Sequence, residues 1–146
     1  MYYIAYGSNL NVEQMGYRCP SAKMIGTAVI KDYRLMFKGS KTGSYLTIEK
    51  APGYEVPVGV WQVTKDDEAA LDRYEGFPRF YYKKTFTLDC SDGKRHRCMV
   101  YIMHEDRVLG LPSQYYVDTC AIGYQDFGFD VSYLVEAIRY SGGKVA

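Results

Sequence analysis

The hydrophobic pattern of this chain changes from β-like to helical and back several times. Aromatic and β-branched runs with short polar breaks predict strands, and Asp92-Gly93 between two such runs is a strong hairpin signal. The predicted strands cover residues 1–6, 22–38 with a break at 31–32, 45–48, 56–63, 80–90 and 94–104. Glycine- and proline-containing loops are expected at 39–43 and 50–53 and a polar loop at 105–110. We therefore expect roughly six short strands in a mixed, barrel-like sheet.

Apolar residues at helical spacing predict helices around that sheet. The predicted helices cover 12–18, 64–75, a segment that begins at Ser113, and a last segment capped by Asp130. Asn11 with Gln14 forms a variant capping box, and Thr64 precedes three acidic residues, which favour a helix N-terminus. Strands and helices together indicate the α+β class, with residues 1–146 forming a single domain.

Composition and charge narrow the possible partners. The 146 residues are 47% hydrophobic and 24% charged, which is typical of a globular protein. A formal net charge of +1 gives no reason to expect nucleic acid or an anionic membrane as partner. No apolar run approaches membrane-spanning length, and no leader-like segment precedes the first strand. We expect a cytoplasmic protein.

The cysteines and histidines show no spacing typical of a metal site. The four cysteines are Cys19, Cys90, Cys98 and Cys120. A two-residue turn at Asp92-Gly93 would place Cys90 opposite Arg95 and Cys98 opposite Thr87, so we expect reduced and mostly buried thiols. The two histidines match no metal or nucleophile signature. We therefore expect no metal and no cofactor, and any acid–base group should be a carboxylate or a tyrosine.

A short glycine-containing segment, Tyr6-Gly7-Ser8-Asn9-Leu10, connects the first predicted strand to the first predicted helix. Gly7 permits a sharp turn and leaves its N–H uncovered, while Ser8 and Asn9 add short polar groups. The following helix N-terminus adds a partial positive field. These donors suit a carboxylate or an oxyanion, although an ordinary strand-to-helix turn would have the same composition.

Glu75 is a carboxylate in an unfavourable position. It lies at the C-terminal end of its predicted helix, where the helix dipole disfavours negative charge by ~0.3–1 kcal/mol. Aromatic neighbours in the sequence should also desolvate it and raise its pKa. A carboxyl group kept in such a place is a candidate proton shuttle. The alternative is a solvated helix end paired with Arg73 or Arg79.

Three blocks in the sequence carry a family resemblance. They are Tyr6-Gly7-Ser8-Asn9-Leu10; Val58-Gly59-Val60-Trp61 followed by Leu71-Asp72-Arg73-Tyr74-Glu75-Gly76 and Tyr82; and Pro112-Ser113-Gln114-Tyr115-Tyr116. In this order they resemble the γ-glutamylcyclotransferase (AIG2-like) family, from residue 2 to about residue 125. The resemblance implies a small mixed-sheet β-barrel with surrounding helices and a pocket between the first loop and Glu75. It also implies that Glu75 is catalytic, that residues 6–10 contact substrate, and that Tyr82 and Tyr116 provide aromatic lining.

The activity implied by the resemblance is cleavage of a γ-glutamyl amide. The α-amine of the substrate attacks its own γ-carbonyl, which gives 5-oxoproline and a free amine. The released amine could belong to an amino acid, a lysine side chain or a biosynthetic intermediate. The loop could hold the substrate carboxylate or the oxyanion. The competing hypothesis is a non-catalytic module that binds a small carboxylate in the same pocket.

Overall fold

The computed structural model of the chain describes residues 1–40 and 43–142. The strands are β1 (Tyr2–Ala5), β2 (Lys23–Ser40), β3 (Gly43–Gln62), β4 (Tyr81–Asp89), β5 (Arg95–Met103) and β6 (Val108–Leu109). The helices are α1 (Val12–Arg18), α2 (Lys65–Glu75), α3 (Gln114–Asp126) and α4 (Ser132–Tyr140), with a 3₁₀ turn at Ser8–Leu10. In the described part of the chain, no helix is long and apolar enough to cross a lipid bilayer.

The six strands form one mixed sheet in the order β4-β5-β1-β3-β2-β6. β1 runs parallel to β5 and antiparallel to β3, and the other described pairs are antiparallel. The sheet curls, so that Ser91 at the tip of the β4–β5 hairpin forms hydrogen bonds with Thr27 on β2. The Ser91 N–H donates to the Thr27 carbonyl at 2.8 Å, and the Thr27 N–H donates to Ser91 Oγ at 2.8 Å. The expected α+β barrel-like sheet is confirmed as a curled half-barrel with helices packed around it.

β2 and β3 are far longer than the sequence pattern predicts, at 18 and 20 residues. The break expected at 31–32 is a bulge inside β2, where Asp32 has a φ of 61° and the register shifts between Lys31 and Tyr33. The Gly53 N–H donates to Asp32 Oδ1 at 3.0 Å, so residues 50–53 belong to the same irregularity rather than to a loop. The prediction of a short strand at 45–48 was therefore wrong.

The two other predicted loops also contain strand residues. Of the loop expected at 39–43, residues 39–40 lie in β2 and residue 43 in β3, while residues 41–42 lie outside the described residues. The polar loop at 105–110 contains β6, which pairs with β2.

The β4–β5 hairpin forms as expected, but its register differs by one residue from the prediction. The last pair is Asp89 with Arg95, and Cys98 lies opposite Phe86. The connection therefore spans residues 90–94, with Gly93 at a φ of 82° and the Cys90 N–H donating to the Lys94 carbonyl at 2.9 Å. All four cysteines are free and buried, as expected.

The helix ends follow the predicted capping residues, except that the N-cap of α4 is Val131 and not the predicted Asp130. Asn11 accepts from the Gln14 N–H at 3.1 Å, while the Gln14 side chain bonds Arg18 instead of completing the capping box. α2 begins with a complete capping box between Thr64 and Asp67 and ends at Gly76 in the left-handed region. Ser113 caps α3, and Asp130 accepts from the Ser132 N–H at 2.9 Å before α4.

Candidate active site

A cavity of about 470 Å³ opens between the β1–α1 connection and the end of α2. It is lined by Tyr3, Ile4, Tyr6, Gly7, Ser8, Asn9, Tyr45, Leu46, Arg73, Tyr74, Glu75, Gly76, Phe80, Tyr81, Tyr101 and Tyr116. Seven of these residues are tyrosines, which give apolar walls with hydroxyl groups at their edges. The lining has one carboxylate and neither histidine nor cysteine, so it does not offer the ligand set of a metal site.

The loop after β1 forms one wall of the cavity. Gly7 has a φ of −134°, so the left-handed backbone that glycine often supplies is not used here. A Cβ at Gly7 would lie 3.2 Å from Leu46 Cδ1 and 3.3 Å from the Tyr116 hydroxyl, so the position is tight. Ser8 Oγ lies 3.0 Å from the Tyr74 hydroxyl. Within the described residues, the N–H groups of Ser8 and Asn9 have no protein acceptor.

Asn9 connects this wall to the rest of the site through both its backbone and its side chain. Its carbonyl accepts from Trp61 Nε1 at 3.1 Å, and its side-chain oxygen accepts from Arg18 Nη1 at 2.7 Å. Its Nδ2 donates to the Tyr3 hydroxyl at 2.9 Å and to Glu75 Oε1 at 3.4 Å. Asn9 is only 2% exposed, so this arrangement is enclosed by protein.

Glu75 presents its half-buried carboxyl group to the cavity from the last residue of α2. Burial raises the pKa of Glu75 to about 8, and the positive charge of Arg18 opposes part of that rise. Neither Arg73 nor Arg79 forms an ion pair with Glu75 among the described residues, so that pairing is not observed, and a left-handed Gly76 closes the helix after Glu75. The group can accept and return a proton near neutral pH.

The tyrosines around Glu75 stay protonated. Burial, followed by the charge of Glu75, raises the pKa of Tyr3, Tyr6 and Tyr81 well above its ordinary value. Their hydroxyl groups are therefore donors at neutral pH. Tyr6 donates to the Tyr101 carbonyl at 2.7 Å and Tyr81 to the Leu46 carbonyl at 2.8 Å.

Glu68 and Asp72 lie on the same face of α2 as Glu75 and form polar contacts beside it. The Tyr101 hydroxyl donates to Asp72 Oδ1 at 2.6 Å. Lys83 on β4 contacts Glu68 at 2.9 Å and Asp72 at 2.9 Å. These contacts join one face of α2 to β4 and β5, and they fix the helix end that carries Glu75.

The structure brings most of the predicted site residues together. Tyr6, Gly7, Ser8, Asn9, Glu75 and Tyr116 all line the cavity. Leu10 does not line it; its side chain is fully buried and packs where Gly59 and Gly123 leave room. Tyr82 also lies outside the lining, and its hydroxyl donates to Glu105 Oε2 at 2.6 Å. Alternation along β4 turns Tyr81 toward the cavity instead.

Several residues in the cavity lining or next to it were not predicted from the sequence. Tyr3 and Tyr101 lie on predicted strands whose pattern indicates only core residues. For Arg18 the sequence indicates only a basic residue at the end of a helix. The alternation of side chains along β1 could have indicated which face of the sheet Tyr3 occupies. No local feature of the sequence indicates that Arg18 contacts Asn9.

The curled mixed sheet thus carries a cavity in which a carboxyl group of raised pKa lies beside a loop whose Ser8 and Asn9 N–H groups have no protein acceptor among the described residues. The family model described as "Gamma-glutamyl cyclotransferase, AIG2-like" matches residues 3–118. The gamma-glutamylcyclotransferase of Bos taurus is 33% identical over 139 residues, which cover 90% of this chain and 73% of the relative. That of Homo sapiens is 32% identical over 139 residues, with the same coverage of 90% and 73%.

A solved structure named gamma-glutamyl cyclotransferase has a TM-score of 0.80 and 29% identity to this chain. The match covers 100% of this chain and 93% of that one. The chain belongs to the gamma-glutamyl cyclotransferase, AIG2-like family.

Proposed function

We propose that this protein is a γ-glutamylcyclotransferase, which releases 5-oxoproline and a free amine from a γ-glutamyl amide. The observation that carries the proposal is the Glu75 carboxyl group, whose pKa is about 8, facing a tyrosine-lined cavity beside the Ser8 and Asn9 N–H groups. Family membership and the names of the relatives support the same reaction.

The reaction needs little chemistry from the protein, because the substrate contains both reacting groups. Glu75 takes a proton from the α-ammonium group, and the free amine attacks the γ-carbonyl to form the C–N bond of the ring. Glu75 then returns the proton to the leaving nitrogen as the amide C–N bond breaks, and the extra proton of the ring nitrogen passes to the released amine, which leaves as an ammonium ion. A carboxyl pKa near neutral pH suits both transfers. Holding the substrate in its folded rotamer contributes an effective molarity of ~10⁵–10⁸ M.

The loop contributes binding and electrostatic stabilisation. The N–H groups of Ser8 and Asn9 can donate to the substrate carboxylate or to the oxyanion that forms on the γ-carbonyl oxygen. Tyrosine hydroxyl groups around the cavity add further donors. The three candidates for the released amine, and a cytoplasmic location, are expectations from the sequence.

A binding module without catalysis is the weaker hypothesis. Glu75 provides the only carboxyl group among the described lining residues, and a module that merely bound a carboxylate would gain nothing from an acid facing its ligand. A proton shuttle, in contrast, requires such a group at the reacting atoms.

The decisive experiment combines a substrate panel with Glu75→Gln. Release of 5-oxoproline is measured from γ-glutamyl derivatives of amino acids, of the lysine ε-amine and of simple amines. For the best substrate, Glu75→Gln should lower kcat by ~10²–10⁴-fold, because the shuttle is lost while size and shape are kept. Its thermal melt should not fall.

Glu13→Gln makes the same change at an exposed position in α1 and should leave turnover unchanged. Wild-type turnover in the Glu75→Gln enzyme would exclude Glu75 as the shuttle. No 5-oxoproline from any member of the panel would refute the cyclotransferase itself.

A further inference from the structure

Three residues at the tip of the β4–β5 hairpin place metal-ligand atoms close together. Cys90 Sγ, a carboxylate oxygen of Asp92 and a ring nitrogen of His96 all lie within 4.8 Å of one another. His96 Nε2 is 2.7 Å from Asp92 Oδ2. We call these three residues the hairpin cluster. It lies at the opposite end of the hairpin from Tyr81 and Tyr101, which line the cavity.

The hairpin cluster is held in place by its surroundings. Cys90 is 8% and His96 9% exposed, and the His96 ring packs 4.1 Å from the Tyr2 ring, centroid to centroid. Asp92 uses Oδ1 to accept from the Lys94 N–H at 3.0 Å, which turns Oδ2 toward His96. The tip itself is fixed to β2 by Ser91. The three donors are therefore oriented before any ion arrives.

The three side chains offer sulfur, nitrogen and oxygen from Cys90, His96 and Asp92. This is a mixed set of the kind that binds Zn²⁺, with the fourth tetrahedral position left to water.

We propose that the hairpin cluster binds Zn²⁺ through its three side chains, with water as the fourth ligand. On binding, the Sγ–H bond of Cys90 breaks, its proton passes to solvent, and one Sγ–Zn bond forms. His96 binds as the neutral imidazole through Nε2, and Asp92 binds through Oδ2. One thiolate and one carboxylate balance the two positive charges of the ion.

A hydrogen-bonded His–Asp pair without metal is the ordinary alternative, and it explains the 2.7 Å contact on its own. It does not explain why the Cys90 thiol adjoins that pair. A metal site uses all three side chains, and it would stabilise the hairpin by binding the folded state only.

Cobalt binding tests the proposal directly. The reduced full-length protein is freed of metal with a chelator and titrated with Co²⁺ under nitrogen. Tetrahedral thiolate ligation should give visible d–d bands and a sulfur-to-cobalt charge-transfer band, both removed by stoichiometric Zn²⁺. A Zn²⁺ competition titration with a chromogenic chelator then gives the affinity.

Cys90→Ser and His96→Gln should each weaken Zn²⁺ binding by at least about tenfold, because each removes a ligand. Asp92→Asn, at a more exposed position, provides a further variant should either of these not fold. Cys19→Ser changes a buried thiol elsewhere in the chain and should bind as the wild type does.

Zn²⁺ should also raise the Tm of the wild type and not that of His96→Gln. Absence of the charge-transfer band, or unchanged affinity in the Cys90 and His96 variants, would overturn the proposal. The outcome is independent of the cyclotransferase activity, because no residue of the hairpin cluster lines the cavity.

Discussion

Asn9 is the residue that gives the site its internal geometry. A side-chain amide can face either way, but Arg18 donates to its oxygen at 2.7 Å, so its Nδ2 must point to Tyr3 and Glu75. Arg18 itself is held by Gln14 at 2.6 Å and lies 3.7 Å over the Tyr74 ring. Arg18 is therefore a positioning residue that acts on Glu75 through Asn9 and through its charge.

Arg18→Met should move the pH dependence of turnover to higher pH. The catalytic base must be ionised, so activity rises with pH through the Glu75 pKa of about 8. Arg18 favours the ionised form, and removing its charge raises that pKa further. The measurement is kcat/KM against pH on one substrate, compared with Arg139→Met, which loses the same charge on α4. Coincident profiles for the two variants would contradict this role.

Glu75 should also make the protein less stable as the pH rises. Its pKa is about 8 in the folded state and near 4.5 otherwise, so between these values the unfolded chain releases a proton that the folded chain keeps. The stabilisation is complete below about pH 4.5 and is lost by about pH 8. Each pKa unit corresponds to about 1.4 kcal/mol, so the loss is a few kcal/mol at most.

Urea unfolding of wild type and Glu75→Gln at both ends of this range measures the effect. The glutamine variant should equal the wild type at the acidic end and exceed it at the alkaline end. A difference between the two proteins that does not change with pH would argue against a raised pKa.

Among the elements, the loop after β1 and the C-terminal end of α2 form two sides of the site, and local sequence signals predict the structure of both. A left-handed Gly76 stops α2 directly after Glu75, and the 3₁₀ turn at Ser8–Leu10 leads into the Asn11 cap of α1. Their separation across the cavity is set by the contacts of α2 with β4 and β5.

Gly7→Ala should impair catalysis more than folding. Its methyl group would lie 3.2 Å from Leu46 Cδ1 and 3.3 Å from the Tyr116 hydroxyl, so the cavity wall must move by a few tenths of an ångström. We expect kcat/KM to fall by about tenfold or more, since small displacements at a reacting centre are costly.

Gly16→Ala in α1 provides the control, because nothing lies within 4 Å of its added Cβ. It should be slightly more stable, by roughly 0.5–1 kcal/mol, with normal kinetics. If Gly7→Ala lowers the stability of the protein but the folded fraction keeps the wild-type kcat/KM, Gly7 has only a structural role.

Local sequence signals predicted the helices well and the long strands poorly. The bounds of α1 follow from Asn11 and Cys19-Pro20, and those of α2 from Thr64 and Gly76, since each is a local stop or start. Asp32 and Gly53 look like chain breaks, yet they are partners in one bulge that leaves β2 and β3 continuous. Whether a turn-forming residue ends a strand depends on its partner strand, which no local pattern specifies.

At the scale of the whole molecule, the curl of the sheet assembles the site. It brings β1, α2, β4 and α3 around one cavity, so that Asn9 and Glu75 meet although 66 residues separate them. The family resemblance predicted that meeting, and the residues alone did not. The sequence does not show that Tyr81, rather than Tyr82, faces the cavity. That depends on which face of β4 is turned inward, and hence on the register of β4 with β5.

Trp61 is the only tryptophan of the sequence, and its indole N–H donates to the Asn9 carbonyl at 3.1 Å. Its ring lies 5.9 Å from that of Phe127, away from solvent. The protein thus contains an intrinsic fluorophore that is hydrogen-bonded to the loop proposed to contact the substrate. Fluorescence excited at the red edge, where the tyrosines do not absorb, can report ligand binding without a label, even in a variant that no longer turns over.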